Sequence, residues 1–167
     1  MNFLDSVMAV LVAISSNPID KLEQDIQIEA DPQIVCLAQN IYHEARNEST
    51  AGKIAVANVV MNRKNSDAFP DTVCEVVYEG PHYTNTQGKM IPYKHRCQFS
   101  WYCDGKSDRI LNQKKYDELY ILANFVYKNN VDLTDGALFY HADYVQPEWS
   151  KRLKITAKID THIFYRQ

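Results

Sequence analysis

The stretch "IVCLAQNIYHEARNESTAGKIAVANVVMNR", Ile34 to Arg63, carries two apolar patterns joined by a short polar turn. In the first, Ile34, Leu37, Ala38, Ile41 and Ala45 recur at helical spacing and define one buried face. Asp31 and Pro32, just before it, read as an N-cap and a first helical residue, so a helix is expected from about Pro32 to Arg46. Ser49-Thr50 then caps a second helix, and "AGKIAVANVVMNR" is apolar nearly all round, the pattern of a central buried helix. Glu44 is out of place on this background. At about 100° per residue it lies only about 20° from Leu37 around the helix axis, on the border of the buried face. It also sits near the helix C-terminus, where the dipole gives a carboxylate no support. Both placements raise its pKa, which suits a proton donor at neutral pH.

A zinc protease would continue His43-Glu44 to a second His at the fifth position. Asn47 stands there and is not a strong zinc ligand, so neither a metal site nor a cofactor is expected. The chain has no G-x-S-x-G and no Cys in a recognisable nucleophile context. A glycosidase needs a protonated carboxyl beside the scissile oxygen and usually a second carboxylate. The acids considered for that second role are Glu48, Glu75 and Asp104, with Glu48 alternatively bonding backbone N–H groups at the start of the next helix. Where no second acid faces the cleft, the substrate supplies the other half. An N-acetyl group can assist cleavage of its own bond, or a muramic acid residue can attack itself through its C6 hydroxyl.

Outside this stretch, 167 residues favour one domain with a real core. The formal charge is −3 and Lys and Arg are scattered, which argues against a nucleic-acid binder. Residues 1–30 read as an amphipathic helix and a connector. Asn2, Asp5, Ser6, Ala9, Ala13 and Ser16 share a small or polar stripe, opposite Phe3, Leu4, Val7, Met8, Leu11 and Ile14. No Lys or Arg occurs in the first twenty residues, Asp5 interrupts the apolar run, and that run is short for a membrane span, so no clear cleavable signal peptide is read there. The helix either packs on the domain, acts as a weak export signal, or docks on a membrane or protein partner. Cys36, in an apolar run, reads as a buried free thiol, whereas a short loop or hairpin could join Cys97 to Cys103. Such a disulfide would imply an oxidising compartment.

Further along, Asp71 is expected to cap a short helix, and "HYTNTQGKMIPY" to form two strands about a Gln-Gly turn. "RCQFSWY" reads as another strand. Asn112 to Asn130 reads as an amphipathic helix whose Tyr116, Tyr120 and Tyr127 are core rings rather than a ligand platform, and the tail as strands around a loop at Pro147. The expected fold class is α+β, a mainly helical body beside a small antiparallel β-sheet. Residues 79–104 are rich in Gly, Pro and polar aromatics, a composition that suits a sheet or loop contacting sugar rings, with Tyr83, Tyr93 or Trp101 for stacking.

Three blocks of this chain resemble the SleB-type cell-wall hydrolases, the family of the spore cortex-lytic enzymes. The first carries Tyr42, Glu44, Ala45, Arg46, Glu48, Gly52, Ala55-Val56-Ala57, Asn62-Arg63 and Phe69-Pro70; the second, Gln98-Phe99-Ser100; the third, Trp149, His162, Phe164 and Tyr165. The resemblance covers about residues 33–166. It implies a lysozyme-like catalytic domain over residues 31–167, acting on peptidoglycan glycan strands with Glu44 as acid/base. It also makes Gln98, Ser100 and Tyr140 cleft residues. Asn47 departs from the family's common Gly. The expected place of action is the cell wall, reached through the periplasm, from outside, or by delivery with a virion. Two other readings stand beside this one: a catalytically weak wall-binding or structural component, such as part of a phage particle, and a metallohydrolase.

Overall fold

Asp31 opens the first helix as its composition demands: its carboxylate accepts the Gln33 N–H at 2.9 Å and Pro32 takes the first helical position. The computed structural model describes residues 30–167, and the amphipathic helix expected within residues 1–30 lies outside them. Helix α1 spans Pro32–Ala45 and buries Ile34, Leu37, Ala38, Ile41 and Ala45, the face its spacing predicts. Ser49 caps α2, Thr50–Lys64, by accepting the Gly52 N–H at 3.2 Å. Ala55, Val56, Ala57, Val59 and Val60 are all without exposed surface, so α2 is the central helix. The next helix, α3 (Val73–Val77), begins one residue later than expected: Thr72, not Asp71, is its cap. Thr72 Oγ1 accepts the Glu75 N–H at 3.2 Å and donates to Glu75 Oε2 at 2.7 Å, a reciprocal pairing with the third residue on that Asp71 is not in register to make.

The hairpin forms as its turn residues predict, with β1 (His82–Thr84) antiparallel to β2 (Met90–Pro92) and Gly88 at φ 76° in the turn. The segment "RCQFSWY" is not a strand. Cys97 and Cys103 are joined by a disulfide with Cα atoms 6.1 Å apart. Six residues of strand would span roughly 20 Å, so the chain instead winds into a 3₁₀ turn, Ser100–Cys103. Cys36 is not a free thiol either: it is bonded to Cys74, 38 residues away, and ties α1 to α3. Burial of a Cys in an apolar face does not distinguish a thiol from half of a cross-link.

Helix α4, Gln113–Lys128, is capped by Asn112. It buries Leu119, Ala123 and Val126, and Tyr116, Tyr120 and Tyr127 pack on the same core, as expected of core rings. The tail forms β3 (Phe139–Ala142), a 3₁₀ turn after Pro147, β4 (Lys154–Ile159) and β5 (His162–Arg166). They make one antiparallel sheet in the order β3-β5-β4, with an irregularity between Ile155 and Ala157. The whole is α+β, four helices and two small antiparallel sheets among the described residues. Two apolar clusters hold it together. One joins α1 to α4 around Leu37, Ile41 and Val60; the other lies between α2 and the three-stranded sheet, around Val56, Val59 and Phe164. Tyr140 of β3 packs against both.

Candidate active site

Glu44 lies in the last turn of α1, where the two clusters meet, and the Tyr140 hydroxyl donates to its Oε2 at 2.8 Å. Ninety-six residues separate the two. Burial raises the Glu44 pKa above its ordinary value; the Tyr140 hydrogen bond and the positive charge of Arg63 pull it back in part. Burial, together with the adjacent Glu44, pushes the Tyr140 phenol well above its ordinary value, so it stays a donor. His162 of β5 stands edge-on to the Tyr140 ring with centroids 5.2 Å apart, and burial lowers its pKa.

The pairing of Glu44 with Tyr140 depends on how α2 docks the chain that enters β3. Asn58 accepts the Leu133 N–H at 2.9 Å and donates to the Val131 carbonyl. Asn62 donates to the Ala137 carbonyl at 3.1 Å, and Arg63 Nε to the Leu138 carbonyl at 2.8 Å. Successive polar side chains of one helix thus fasten the segment leading into β3 and set Tyr140 over Glu44. Gly52 serves the same end at the start of α2. A Cβ there would stand 2.3 Å from Asp160 Oδ2 and 2.9 Å from Glu48 Cβ, so only Gly lets the turn between β4 and β5 approach.

Arg63 is only 5 % exposed, and its guanidinium lies among three rings, 5.1 Å from the Phe69 centroid, 5.3 Å from Phe99 and 5.8 Å from Phe139. Burial lowers its pKa, while the charges of Tyr140, Glu79 and Glu44 raise it. Glu79 belongs to no regular element and no spacing pattern marks it. Its charge acts on Arg63, a residue of another element, so nothing local in sequence could have found it. The acids expected nearby are engaged elsewhere. Glu48 accepts the Thr161 hydroxyl at 2.9 Å rather than the N–H groups of α2, because Asp160 already takes the Ser49 N–H at 2.9 Å. Glu75 pairs with Thr72 in the cap of α3, and Asp104 accepts the Lys106 N–H at 2.7 Å.

The remaining expected residues divide into two groups. Trp101 is anchored: its Nε1 donates to Asn40 Oδ1 at 3.0 Å and its ring stacks on His43 with centroids 4.4 Å apart. It lines a cleft of about 280 Å³ with Gln39, Tyr78, Tyr102 and Asp108. Tyr83 and Tyr93 pair on the hairpin, centroids 5.0 Å apart and each 43 % exposed. Gln98 and Ser100 are exposed, and the Gln98 N–H donates to the Glu79 carbonyl at 3.0 Å. Of the expected site residues, Tyr140 is the one in hydrogen-bond contact with Glu44. Among the described residues, no three His, Cys, Asp or Glu side chains are grouped to hold a metal ion.

A half-buried carboxyl in the last turn of a helix, bonded to a tyrosine of a small antiparallel sheet, marks this fold as that of a cell-wall enzyme family. The chain belongs to the cell wall hydrolase family, whose profile matches residues 47–165 and so begins just after Glu44. It is similar to the spore cortex-lytic enzyme of Halalkalibacterium halodurans, 46 % identical over 55 residues, which is 33 % of this chain and 17 % of that protein. It is also similar to the spore cortex-lytic enzyme of Bacillus subtilis, 46 % identical over 48 residues, 29 % of this chain and 16 % of that protein. The matched stretch is thus less than a fifth of either relative's length. Among solved structures, the catalytic domain of the Bacillus cereus SleB protein superposes with a TM-score of 0.55 at 27 % identity, covering 81 % of this chain and 91 % of that one. The catalytic domain of the germination-specific lytic transglycosylase SleB from Bacillus anthracis gives 0.60 at 26 % identity, covering 84 % and 98 %.

Proposed function

We propose that this protein cleaves the glycan strands of peptidoglycan at the MurNAc–GlcNAc bond, as a lytic transglycosylase or muramidase, with Glu44 as its acid and base. Family membership supports the substrate class. The observation that carries the chemistry is the Glu44 carboxyl, raised in pKa by burial and held through one oxygen by a phenol that stays protonated. With Oε2 fixed by Tyr140, Oε1 is the oxygen free to carry the proton. That proton passes to the glycosidic oxygen as the C1–O bond breaks. The carboxylate then takes a proton from the C6 hydroxyl of the same muramic acid residue, which closes on C1, or from a water that attacks C1. Glu48, Glu75 and Asp104 being engaged elsewhere favours the substrate's own hydroxyl. Action is at the cell wall.

The test is to digest purified sacculi and weigh the released muropeptides. Anhydro-muramic ends identify attack by the C6 hydroxyl, and reducing muramic ends identify attack by water. Fragments cut only in the peptide stems, or no release at all, would overturn the assignment. A chelator is expected to leave the rate unchanged; loss of activity restored by added zinc would return the metallohydrolase reading.

A further inference from the structure

The cleft beside Trp101 has no part in the proton transfers at Glu44. It encloses about 280 Å³ between Gln39 of α1, Tyr78 at the end of α3, Trp101 and Tyr102 of the 3₁₀ turn, and Asp108. Each of its three rings is fixed by a polar side chain of another element. Trp101 Nε1 donates to Asn40 Oδ1 at 3.0 Å, the Tyr78 hydroxyl donates to Gln39 Oε1, and the Tyr102 hydroxyl meets His82 Nε2 at 3.1 Å. Tyr78 and Tyr102 both stand edge-on to Trp101, with centroids 6.1 Å away in each case. The Cys97–Cys103 bond closes the turn that carries two of the rings.

Holding Trp101 in this way is costly. Asn40 has no exposed surface, and its Nδ2 hydrogen-bonds no described residue. His43 stacks on Trp101 with ring planes 16° apart, and its Nε2 is likewise buried without a partner among the described residues. A buried donor or acceptor left unsatisfied is destabilising, and an apolar residue at either position would avoid the penalty. A ring that only filled the core would need neither neighbour. A ring that must keep one orientation for a ligand needs both, since the indole N–H bond and the stack together fix it before the ligand arrives.

The rim supplies polar groups of matching kind. Gln39 Oε1 is taken by the Tyr78 hydroxyl, which leaves Nε2 to donate. The exposed Asp108 carboxylate accepts. One face of Trp101 is covered by His43, so a ligand reaches the indole only from the other side. A sugar ring presents C–H groups that pack on such a surface. An acetamido group adds a carbonyl for the donor, an N–H for the acceptor and a methyl for the rings. We propose that this cleft binds one N-acetylhexosamine unit of the glycan strand, with Trp101 against the sugar and Gln39 and Asp108 on its acetamido group. The inference rests on a glycan strand being the substrate of the proposed reaction. His43, which backs Trp101, adjoins Glu44 in the last turn of α1, so the cleft and the acid are carried by one helix end.

The test is titration calorimetry of the whole chain with tri-N-acetylchitotriose and with cellotriose, which has a hydroxyl in place of each acetamido group. The acetylated trimer should bind, and cellotriose should bind at least about tenfold more weakly, because the donor and acceptor of the rim lose their partners. Trp101→Ala should weaken the acetylated trimer by at least about tenfold, as removal of a central aromatic contact does. Gln39→Glu keeps an acceptor for the Tyr78 hydroxyl and removes the donor. It should weaken the acetylated trimer, leave cellotriose unchanged and melt near the parent temperature. It decides the matter if Trp101→Ala does not fold. Unmoved affinity in either folded variant overturns the proposal, as do equal affinities for the two trimers or no binding to the parent at millimolar concentration. If the trimer binds as expected and sacculi are not cut, the reaction assignment fails and the sugar site stands. If sacculi are cut and the variants bind the trimer like the parent, the reaction stands and the sugar site fails.

Discussion

Glu44 is asked to be uncharged in a site that must also tolerate its charge after proton transfer, and this has a measurable signature in stability. A carboxyl whose folded pKa is raised binds its proton more tightly in the folded protein. Its contribution is complete below the ordinary glutamate value of 4.5 and is lost as pH rises through the raised value. Glu44→Gln removes that loss. The variant should therefore match the parent in acid, melt higher than the parent at neutral pH, and lose about 10²–10⁴-fold in turnover. Thermal melts and sacculus digestion on the same preparation check both halves; near-parent turnover would remove Glu44 from the mechanism. Tyr140→Phe deletes a hydrogen bond that favours the carboxylate, so the Glu44 titration, followed by ¹³C NMR of glutamate-labelled protein, should move upward. Turnover should fall roughly ten- to hundredfold, the worth of one hydrogen bond to a charged group. A downward movement of the titration would show that the phenol does not act as a donor to Glu44.

Among the elements, the Cys36–Cys74 bond ties α1, which carries Glu44, to α3 and closes a loop of 38 residues. By loop-closure entropy, a cross-link of that span is worth roughly 4 kcal/mol and the Cys97–Cys103 bond, spanning 6 residues, roughly 2 kcal/mol. Replacing Cys36 and Cys74 together with Ala should cost more stability than replacing Cys97 and Cys103, as read from denaturant midpoints. The reverse order would show that the short loop carries the greater share. Long-range ties of this kind are also where the sequence was hardest to read. The caps at Asp31 and Ser49 were legible because their chemistry is complete within three residues. The hairpin was legible from its turn. "RCQFSWY" misled because its alternation is the same whether or not a disulfide folds it back. Cys36 misled because its partner lies beyond two intervening helices' worth of chain. Tyr140 could be placed in the cleft only by resemblance, and Glu79 not at all, since each acquires meaning from a residue on another element.

At the scale of the molecule, Asp31–Gln167 forms one compact unit, and its central helix docks both the helical and the sheet side of the site. We expect a protein beginning at Asp31 to unfold cooperatively and to degrade sacculi. If it unfolds cooperatively and yet has no activity, residues 1–30 belong to the catalytic unit. The ring cage around Arg63 has one more consequence. Mobile ions screen charges that face water, over a Debye length of roughly 30 Å at 0.01 M salt and roughly 3 Å at 1 M. They do not enter a guanidinium enclosed by Phe69, Phe99 and Phe139. The Glu44 titration should thus hold its midpoint across that range of ionic strength, even as salt alters how the surface meets a charged polymer. A midpoint that drifts with salt would mean that ions reach the cage. If it holds, substrate capture responds to the medium while the proton affinity of the site is insulated from it.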